Sequence, residues 1–334
     1  MSALLDVTNL RITYRGQPIV DGVDFCLSAG EALGLAGESG CGKTSTALAL
    51  MRLLPPELEL SGAMTLRPHD SGAISLERRT EAGMRVVRWR HISLIFQGAM
   101  NGFDPVRRVG AQIADAIHLH DPRADRAQQR ARVGELLEMV GLTAGVDRRY
   151  AHQLSGGQRQ RAMIALALAC RPKLVIADEP TTALDVISQA QILELLERLR
   201  SELGLALLLI SHDLGVLAQT CDRIAIMYAG RIVESGPLRE VFEAAQHPYT
   251  KLLLDSLPTI GGSRELAPIE GVPPDPANLL TGCRFQPRCP YATSECEERD
   301  PPTRDVGPKH AVACHLAPWS RWPEPADTQP SRRV

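Results

Sequence analysis

Residues 37–44 read Gly37-Glu-Ser-Gly-Cys-Gly42-Lys43-Thr44. The stretch fits G-x-x-x-x-G-K-[ST], the spacing of a phosphate-binding loop. Its glycines let backbone N–H groups curl around phosphate oxygens, Lys43 reaches the outer phosphates, and Thr44 offers a hydroxyl to Mg²⁺. What flanks the loop decides the fold. EALGLAG (31–37) is an apolar run of strand length, and KTSTALALMRLL (43–54) reads on as a helix. That is the setting in which such a loop works, so a chance glycine-rich turn is the weaker reading.

Working outward, KLVIADEP (173–180) and LALLLISHD (205–213) are further short apolar runs suited to buried parallel strands. Between them SQAQILELLERLRSEL (188–203) sets Ile192, Leu195, Leu196, Leu199 and Leu203 at helical spacing, and Gly204 follows as a stop. Strands alternating with helices predict an α/β fold with a parallel sheet. Residues 98–168 read as helix-rich and interrupt that alternation, which predicts a helical subdomain there.

The 173–180 strand ends in two carboxylates. Asp178 suits the Mg²⁺ shell and Glu179 is placed to polarise an attacking water as general base. An acidic strand end alone is common; beside a phosphate loop on a neighbouring strand it becomes informative. A second helix N-terminus suited to an anion opens at LSGGQRQR (154–161). The chain has one phosphate loop, which already has its own helix, so this second site points to the same nucleotide held from another molecule.

Here a resemblance enters. Leu154–Gln158 resemble the signature of ABC-type ATPases, which sandwich two ATPs between two head-to-tail domains. The resemblance covers about residues 5–235 and implies an ABC-type core with a helical signature subdomain and an antiparallel β subdomain. It assigns nucleotide contacts to Gly37, Ser39, Gly40, Cys41, Gly42, Lys43, Thr44, Ser45 and Asp178, and partner-site contacts to Ser155, Gly156, Gly157 and Gln158. Tyr14, in the first hairpin, resembles the aromatic that stacks on adenine; alone it would read as packing. Gln97, ending ISLIFQ, resembles the glutamine that touches Mg²⁺ and water and relays to the membrane part. Ala183-Leu184-Asp185 resemble the loop that crosses to the other subunit, and His212 the histidine at the γ-phosphate. With Thr44, Gln97 and Asp178 around Mg²⁺ and with Glu179 and His212 present, the resemblance implies hydrolysis of ATP. Two departures stand out. Gln97 is followed directly by Gly98, in GAMNGFDPVRRVG, where many members of the resembled family place an acidic residue; this region is expected to meet the membrane partner, and 67–90 is a long polar stretch of unassigned structure.

Composition agrees with this reading. The 334 residues are 44% hydrophobic and 23% charged, as in a globular protein large enough for a core plus a smaller unit. Aromatic residues at 4% and a net charge of −2 argue against a nucleic-acid surface. No stretch approaches the ~18 apolar residues of a membrane span. The N-terminus MSALLDVTNLR lacks a basic region and meets Asp6 early, unlike a signal peptide. The expectation is a soluble chain in the cytoplasm.

The last part differs. Residues 236–334 hold 16 of the 24 prolines, so 1–235 read as the main domain and 236–334 as an extension without regular helix-and-sheet structure, its final PEPADTQPSRRV disordered. HPYT (247–250), EGVPPDP (270–276) and GCRFQPRCPYA (282–292) resemble the C-terminal extension of ATPase subunits of oligopeptide, dipeptide and nickel importers. Cys283, Cys289, Cys296 and Cys314 are spaced C-x5-C-x6-C-x17-C, wider than the usual zinc knuckle. Cys289 precedes a proline, as in some ferredoxins, and some relatives with this extension carry a [4Fe–4S] cluster. An iron–sulfur staple is the expectation, with zinc and free or paired thiols as alternatives and His310 and His315 as substitute ligands or surface residues. Cys26 and Cys170 read as core, Cys221 stays open, and Cys41 has no catalytic duty.

The resemblance thus implies the ATP-hydrolysing subunit of a di- or oligopeptide importer at the cytoplasmic face of the membrane. It implies as partners a second, related ATPase chain, two membrane permease subunits and an extracytoplasmic solute-binding protein. Alternatives are nickel or another small solute as cargo, a tail that senses redox state, or a soluble ABC ATPase of DNA repair or translation. The last would need a coiled-coil insertion, a zinc module or a second ATPase domain, and none is present.

Overall fold

The computed structural model describes residues 3–68, 71–98, 102–257, 269–275, 279–320 and 322. The chain starts with a long hairpin, β1 (Leu5–Tyr14) and β2 (Gln17–Leu27), then β3 (Ala32–Ala36), α1 (Lys43–Leu50), β4 (Leu58–Leu66), β5 (Ile74–Ser75), α2 (Glu81–Val87) and β6 (Ile92–Ile95). Three helices follow, α3 (Val109–His120), α4 (Arg126–Met139) and α5 (Gly156–Ala167). Then come β7 (Leu174–Asp178), α6 (Val186–Leu203), β8 (Ala206–Ser211), α7 (Leu214–Thr220), β9 (Arg223–Tyr228) and β10 (Arg231–Pro237). The last elements are α8 (Leu238–Glu243), α9 (Pro248–Asp255), α10 (Ser294–Glu298), β11 (Arg304–Gly307) and β12 (His310–Val312).

Two sheets form. The first is antiparallel in the order β2-β1-β4-β5. The second runs β11-β12-β10-β9-β3-β8-β7-β6, and its strands from β9 to β6 pair in parallel. Every residue of β3, β6, β7 and β8 is buried, which is why these segments are apolar throughout rather than alternating. In β2 the alternation is clear: Val23, Phe25 and Leu27 face in while Asp24 and Cys26 face out. Cys26 is therefore exposed, not core as expected, because its parity puts it on the wet face.

Helix α1 is shorter than its apolar pattern suggests. Met51 caps it, Arg52 turns to φ 53°, and Pro55-Pro56 follow. In α6, Ile192, Leu193, Leu195, Leu196 and Leu199 are buried, but Leu203 is 41% exposed, one residue before Gly204 at φ 61° ends the helix. The polar stretch 67–90 contributes β5 and α2, whose N-cap Thr80 accepts from Gly83 N. No helix among the described residues is long and apolar enough to cross a membrane.

The tail is more regular than its prolines imply. Beyond Gly236 its described residues include α8, α9, α10 and a hairpin whose β12 pairs with β10, Glu234 opposite Val312, so it lengthens the main sheet. The stretch expected to be disordered, 323–334, lies outside the described residues. A buried ionic knot adds to the junction. Asp21 on β2 accepts from Arg11, Arg231 and the tail's Arg284, and Arg231 also meets Asp300. Burial alone raises the Asp21 pKa, but Arg231, Arg284 and Arg11 outweigh it and hold the carboxyl below its ordinary value.

HPYT starts α9. His247 Nδ1 accepts from Tyr249 N at 3.0 Å, Pro248 occupies the first turn, and His247 N donates to the buried carboxylate of Glu234 at 2.9 Å. An acceptor Nδ1 requires a ring without a proton there, and burial pushes the His247 pKa down to about 3. The unfolded chain binds a proton at this residue near pH 6.5 while the folded chain does not, so stability falls as pH drops through that range. Between pH 7.5 and 5.5 the loss from this residue should be about 1.4 kcal/mol in urea unfolding. His247→Asn, which keeps a capping side chain, should remove it; an unchanged pH slope in that variant would assign the loss elsewhere.

Candidate functional site

Parallel pairing brings the C-terminal ends of β3, β6, β7 and β8 to one edge of the sheet, the place where open α/β sheets bind ligands. In register, Ala36 lies opposite Ser211, and Asp178 opposite Ile210. The loop 37–42, the Asp178–Glu179 pair, Gln97 and His212 all leave the sheet at this edge.

Gly37 exits β3 at φ 149°, and a Cβ there would overlap the carbonyl oxygen of Met227. Gly42, at φ 106°, caps α1, and a Cβ there would stand 2.9 Å from Met227 Cε and from Val20 Cγ2. Both positions need glycine for conformation and for space. Ser39 and Gly40 are exposed on the loop, Cys41 is buried, and Thr44 and Ser45 open α1. The Lys43 ammonium, 6% exposed, folds back to donate to Gly37 O at 2.6 Å and Glu38 O at 2.9 Å. Those two loop carbonyls satisfy the ammonium.

Asp178, 4% exposed, is raised in pKa first by burial and then by the charge of Glu179, against the Thr44 hydroxyl and Lys43. Its Oδ1 is buried without a hydrogen-bond partner. An orphaned carboxylate oxygen beside a threonine hydroxyl is the donor set that suits Mg²⁺, so these residues fit that ion.

Glu179 follows at φ 45°, a strained conformation for a non-glycine residue at the end of a strand. Three groups hold its carboxylate: Gln97 Nε2 at 3.1 Å, Thr182 Oγ1 at 2.8 Å and His212 Nδ1 at 2.9 Å. Burial raises its pKa, but His212, Thr182 and Lys43 more than reverse that and keep it below the ordinary glutamate value. The side chain is thus an oriented anion at neutral pH.

The other expected residues lie apart from this cluster. Ser155 caps α5 in a reciprocal box with Gln158, its Oγ accepting from Gln158 N at 3.3 Å and its N donating to Gln158 Oε1 at 3.1 Å. Ser155 and Gly156 are exposed and Gly157 is half-buried. Among the described residues no hydrogen bond joins 155–158 to the loop 37–45. Asp185 caps α6, its carboxylate accepting from Ser188 N at 2.9 Å and Ser188 Oγ at 2.7 Å. Tyr14 is 38% exposed, with the Arg15 guanidinium 5.1 Å from its ring centroid. Of the segment after Gln97, residues 99–101 lie outside the described residues.

The tail cysteines correct the iron–sulfur expectation. Among the described residues no group of three or more His, Cys, Asp or Glu side chains is disposed to hold a metal ion, which removes the [4Fe–4S] cluster and the zinc alternative together. All eight cysteines are free thiols. Cys283, Cys289, Cys296 and Cys314 instead line one small pocket with Phe285 and Leu316. Burial there pushes Cys283 up to about 11 and Cys289 up to about 12 and raises Cys314, disfavouring the thiolate that binds metal. Of the two histidines, buried His310 lies apart and pairs with Glu234 at 2.8 Å, whereas His315 lines the cysteine pocket with its Nε2 2.9 Å from Arg299 O. Spacing along the chain carries no information about this desolvation, which is why the sequence misled.

Sequence reasoning also missed Thr182 and Glu38. Thr182 follows Glu179 by three residues, a spacing at which a turn returns a hydroxyl to the carboxylate, so a signal existed. Glu38 is held by tail residues more than 200 positions away, and no local pattern marks that.

Comparison with known proteins agrees with this geometry. Residues 20–182 match the family "ABC transporter", and residues 233–296 match "Oligopeptide/dipeptide transporter, C-terminal region". The chain is 45% identical over 322 residues to a probable peptide ABC transporter ATP-binding protein, y4tR, of Sinorhizobium fredii, covering 93% of this chain and 94% of that protein. It is 43% identical over 328 residues to the oligopeptide transport ATP-binding protein AppD of Bacillus subtilis, covering 95% and 97%. Among solved structures, the dimeric bacterial ABC transporter cassette MJ0796 superposes with a TM-score of 0.62 at 26% identity, over 70% of this chain and 99% of that one. A post-hydrolysis state of the same cassette, bound to ADP and Pi, gives 0.62 at 25% identity.

Proposed function

We propose, for a chain that belongs to the family of peptide ABC transporter ATP-binding proteins, that it hydrolyses ATP to power uptake of di- and oligopeptides. The observation that carries the proposal is the convergence at one sheet edge of Lys43, the orphaned Asp178 oxygen and the triply held Glu179.

ATP and Mg²⁺ are the ligands this family requires. The loop N–H groups from Gly40 to Ser45 and the Lys43 ammonium bind the phosphates, once Lys43 releases Gly37 O and Glu38 O. Thr44, Asp178 and Gln97 would hold Mg²⁺, which would supply positive charge to the phosphate oxygens. Glu179 orients a water for in-line attack on the γ-phosphorus and takes its proton on a carboxylate oxygen as the bond to ADP breaks. Gln97 and Thr182 keep that carboxylate aimed, and His212, on its other oxygen, faces the γ-phosphate.

The capped segment Ser155–Gln158, exposed at Ser155 and Gly156, supports a sandwich in which this surface completes the nucleotide site of a second ATPase chain, with Tyr14 on the adenine and Asp185 at the crossing. On this reading 1–235 is the nucleotide-binding domain, with its helical part at 98–168, and 236–334 is the extension of peptide-importer subunits. The assembly would include two permease subunits and an extracytoplasmic binding protein, with this chain peripheral on the cytoplasmic face. The test is reconstitution with the permease subunits in vesicles. Peptide-loaded binding protein should stimulate MgATP hydrolysis and drive ATP-dependent peptide accumulation; hydrolysis without peptide accumulation would remove the cargo assignment.

A further inference from the structure

Glu38, the second residue of the phosphate loop, is gripped on every polar group it has. Its carboxylate accepts two hydrogen bonds from Arg288, Nη1 to Oε2 at 2.7 Å and Nη2 to Oε1 at 2.9 Å. Its amide donates to the Tyr249 hydroxyl at 3.0 Å, and its carbonyl accepts from Lys43 at 2.9 Å. Two of these three holds come from the tail.

The tail residues are themselves fixed. The Arg288 side chain is 5% exposed and lies over the rings of Tyr228 and Phe285, at 5.7 and 6.0 Å from their centroids. Its Nε donates to Glu270 O at 2.9 Å, and Nη1 also reaches the Tyr228 hydroxyl at 3.3 Å. Tyr249 is fully buried against Tyr228, ring centroids 4.6 Å apart. A bidentate guanidinium with its remaining donor used and its plane packed on aromatics cannot swing away cheaply. The core presses from the other side: Gly230 N donates to Cys41 O at 3.0 Å.

A carboxylate in a loop that binds polyphosphate is an electrostatic liability. Left unpaired, it would repel the ligand and be free to drag the loop peptide toward water. Arg288 cancels that charge and Tyr249 fixes the orientation of the 37–38 peptide. We infer that the tail is part of the nucleotide site, with Arg288 and Tyr249 acting through Glu38 as positioning residues that set the affinity of the loop for MgATP. The inference rests on the ATPase reading above and adds to it a duty for a segment otherwise tied to cargo class. Because the loop grips phosphates before and during reaction alike, loss of this support should appear in binding rather than in the turnover of bound nucleotide.

The test measures MgATP binding to the full-length chain by equilibrium filtration, and KM and kcat for ATP in the assembled transporter. Arg288→Gln should raise Kd and KM for MgATP about tenfold or more, with kcat at saturation changed less than about threefold. Adding Glu38→Gln to it should recover most of the lost affinity, since the unpaired charge is then gone. Tyr249→Phe, which keeps the ring and removes only the hydroxyl, should weaken binding about fivefold and guards against a folding defect in the arginine variant. Wild-type affinity in both Arg288→Gln and Tyr249→Phe overturns the inference, as does a double variant no better than Arg288→Gln. A wild-type chain that binds no MgATP overturns the ATPase reading and the inference with it; indifferent variants of a chain that binds MgATP overturn the inference alone.

Discussion

Glu179→Gln is expected to lower ATP turnover about 10²–10⁴-fold while leaving MgATP affinity near that of the wild type. Glutamine has the same shape and can still hydrogen-bond to Gln97, Thr182 and His212, which hold Glu179 at 3.1, 2.8 and 2.9 Å. What it cannot do is take a proton from water. The orphaned Asp178 oxygen and the Lys43 ammonium are untouched, so the ground-state complex should form. Phosphate release in a single turnover, beside equilibrium ATP binding, separates the two effects. Turnover within about threefold of wild type would move the base to another group. Because the neighbours of Glu179 keep its pKa below the ordinary value, its protonation should not shape the rate between about pH 6 and 8. Any titration of activity in that window should persist in other variants of its surroundings.

The second large effect concerns stability. Asp21→Ala should destabilise the folded chain by about 3–5 kcal/mol, because it leaves the Arg284 guanidinium, 8% exposed, as a buried cation without its carboxylate. Arg11 is 49% exposed and can turn to water, so Arg11→Ala should cost less than about 1 kcal/mol. Chemical unfolding of the full chain measures both. Equal costs would show that the knot is held from its wet side, against the burial pattern. The sign with pH follows from the lowered Asp21 value. Its contribution is fully present above the unfolded-state pKa near 3.9 and disappears as pH falls through the lower native value. Asp21 thus adds to an acid loss that His247 starts at higher pH.

Much of the site was legible because its chemistry fixes spacing along the chain. A phosphate-binding loop requires the spacing that Gly37, Gly42, Lys43 and Thr44 show, and the structure brings Asp178-Glu179, at the end of an apolar strand, to the same sheet edge. The parallel order of β3, β7 and β8 follows from short apolar runs alternating with helices. Three features were not legible, each for its own reason. Cys26 lies on a strand whose inward parity is set by its neighbours, so composition alone put it in the core. The tail cysteines have a spacing that permits metal, but they line one pocket with Phe285 and Leu316 in which no metal-holding group is disposed among the described residues, and no spacing encodes that packing. Glu38 and Arg288 are 250 positions apart and meet through tertiary packing, Arg288 lying over Tyr228 of β9 and Phe285 of the tail.

That strand pairing also has a consequence for synthesis. Glu234 waits for Val312, 78 residues later, before the open side of β10 is covered. At about 5–20 residues per second the ribosome needs several seconds to deliver that partner. Until that partner arrives, the outer side of β10 has no strand of its own chain to pair with, the condition under which two such chains on one message could pair with each other. When the hairpin arrives, β11, four residues long with Arg304 and Asp305, becomes the outer margin, and a short charged strand is a poor template for a stranger. The phosphate loop gains Arg288 in the same interval, so a chain cut short before residue 288 would leave the ribosome both adhesive and without its grip on Glu38.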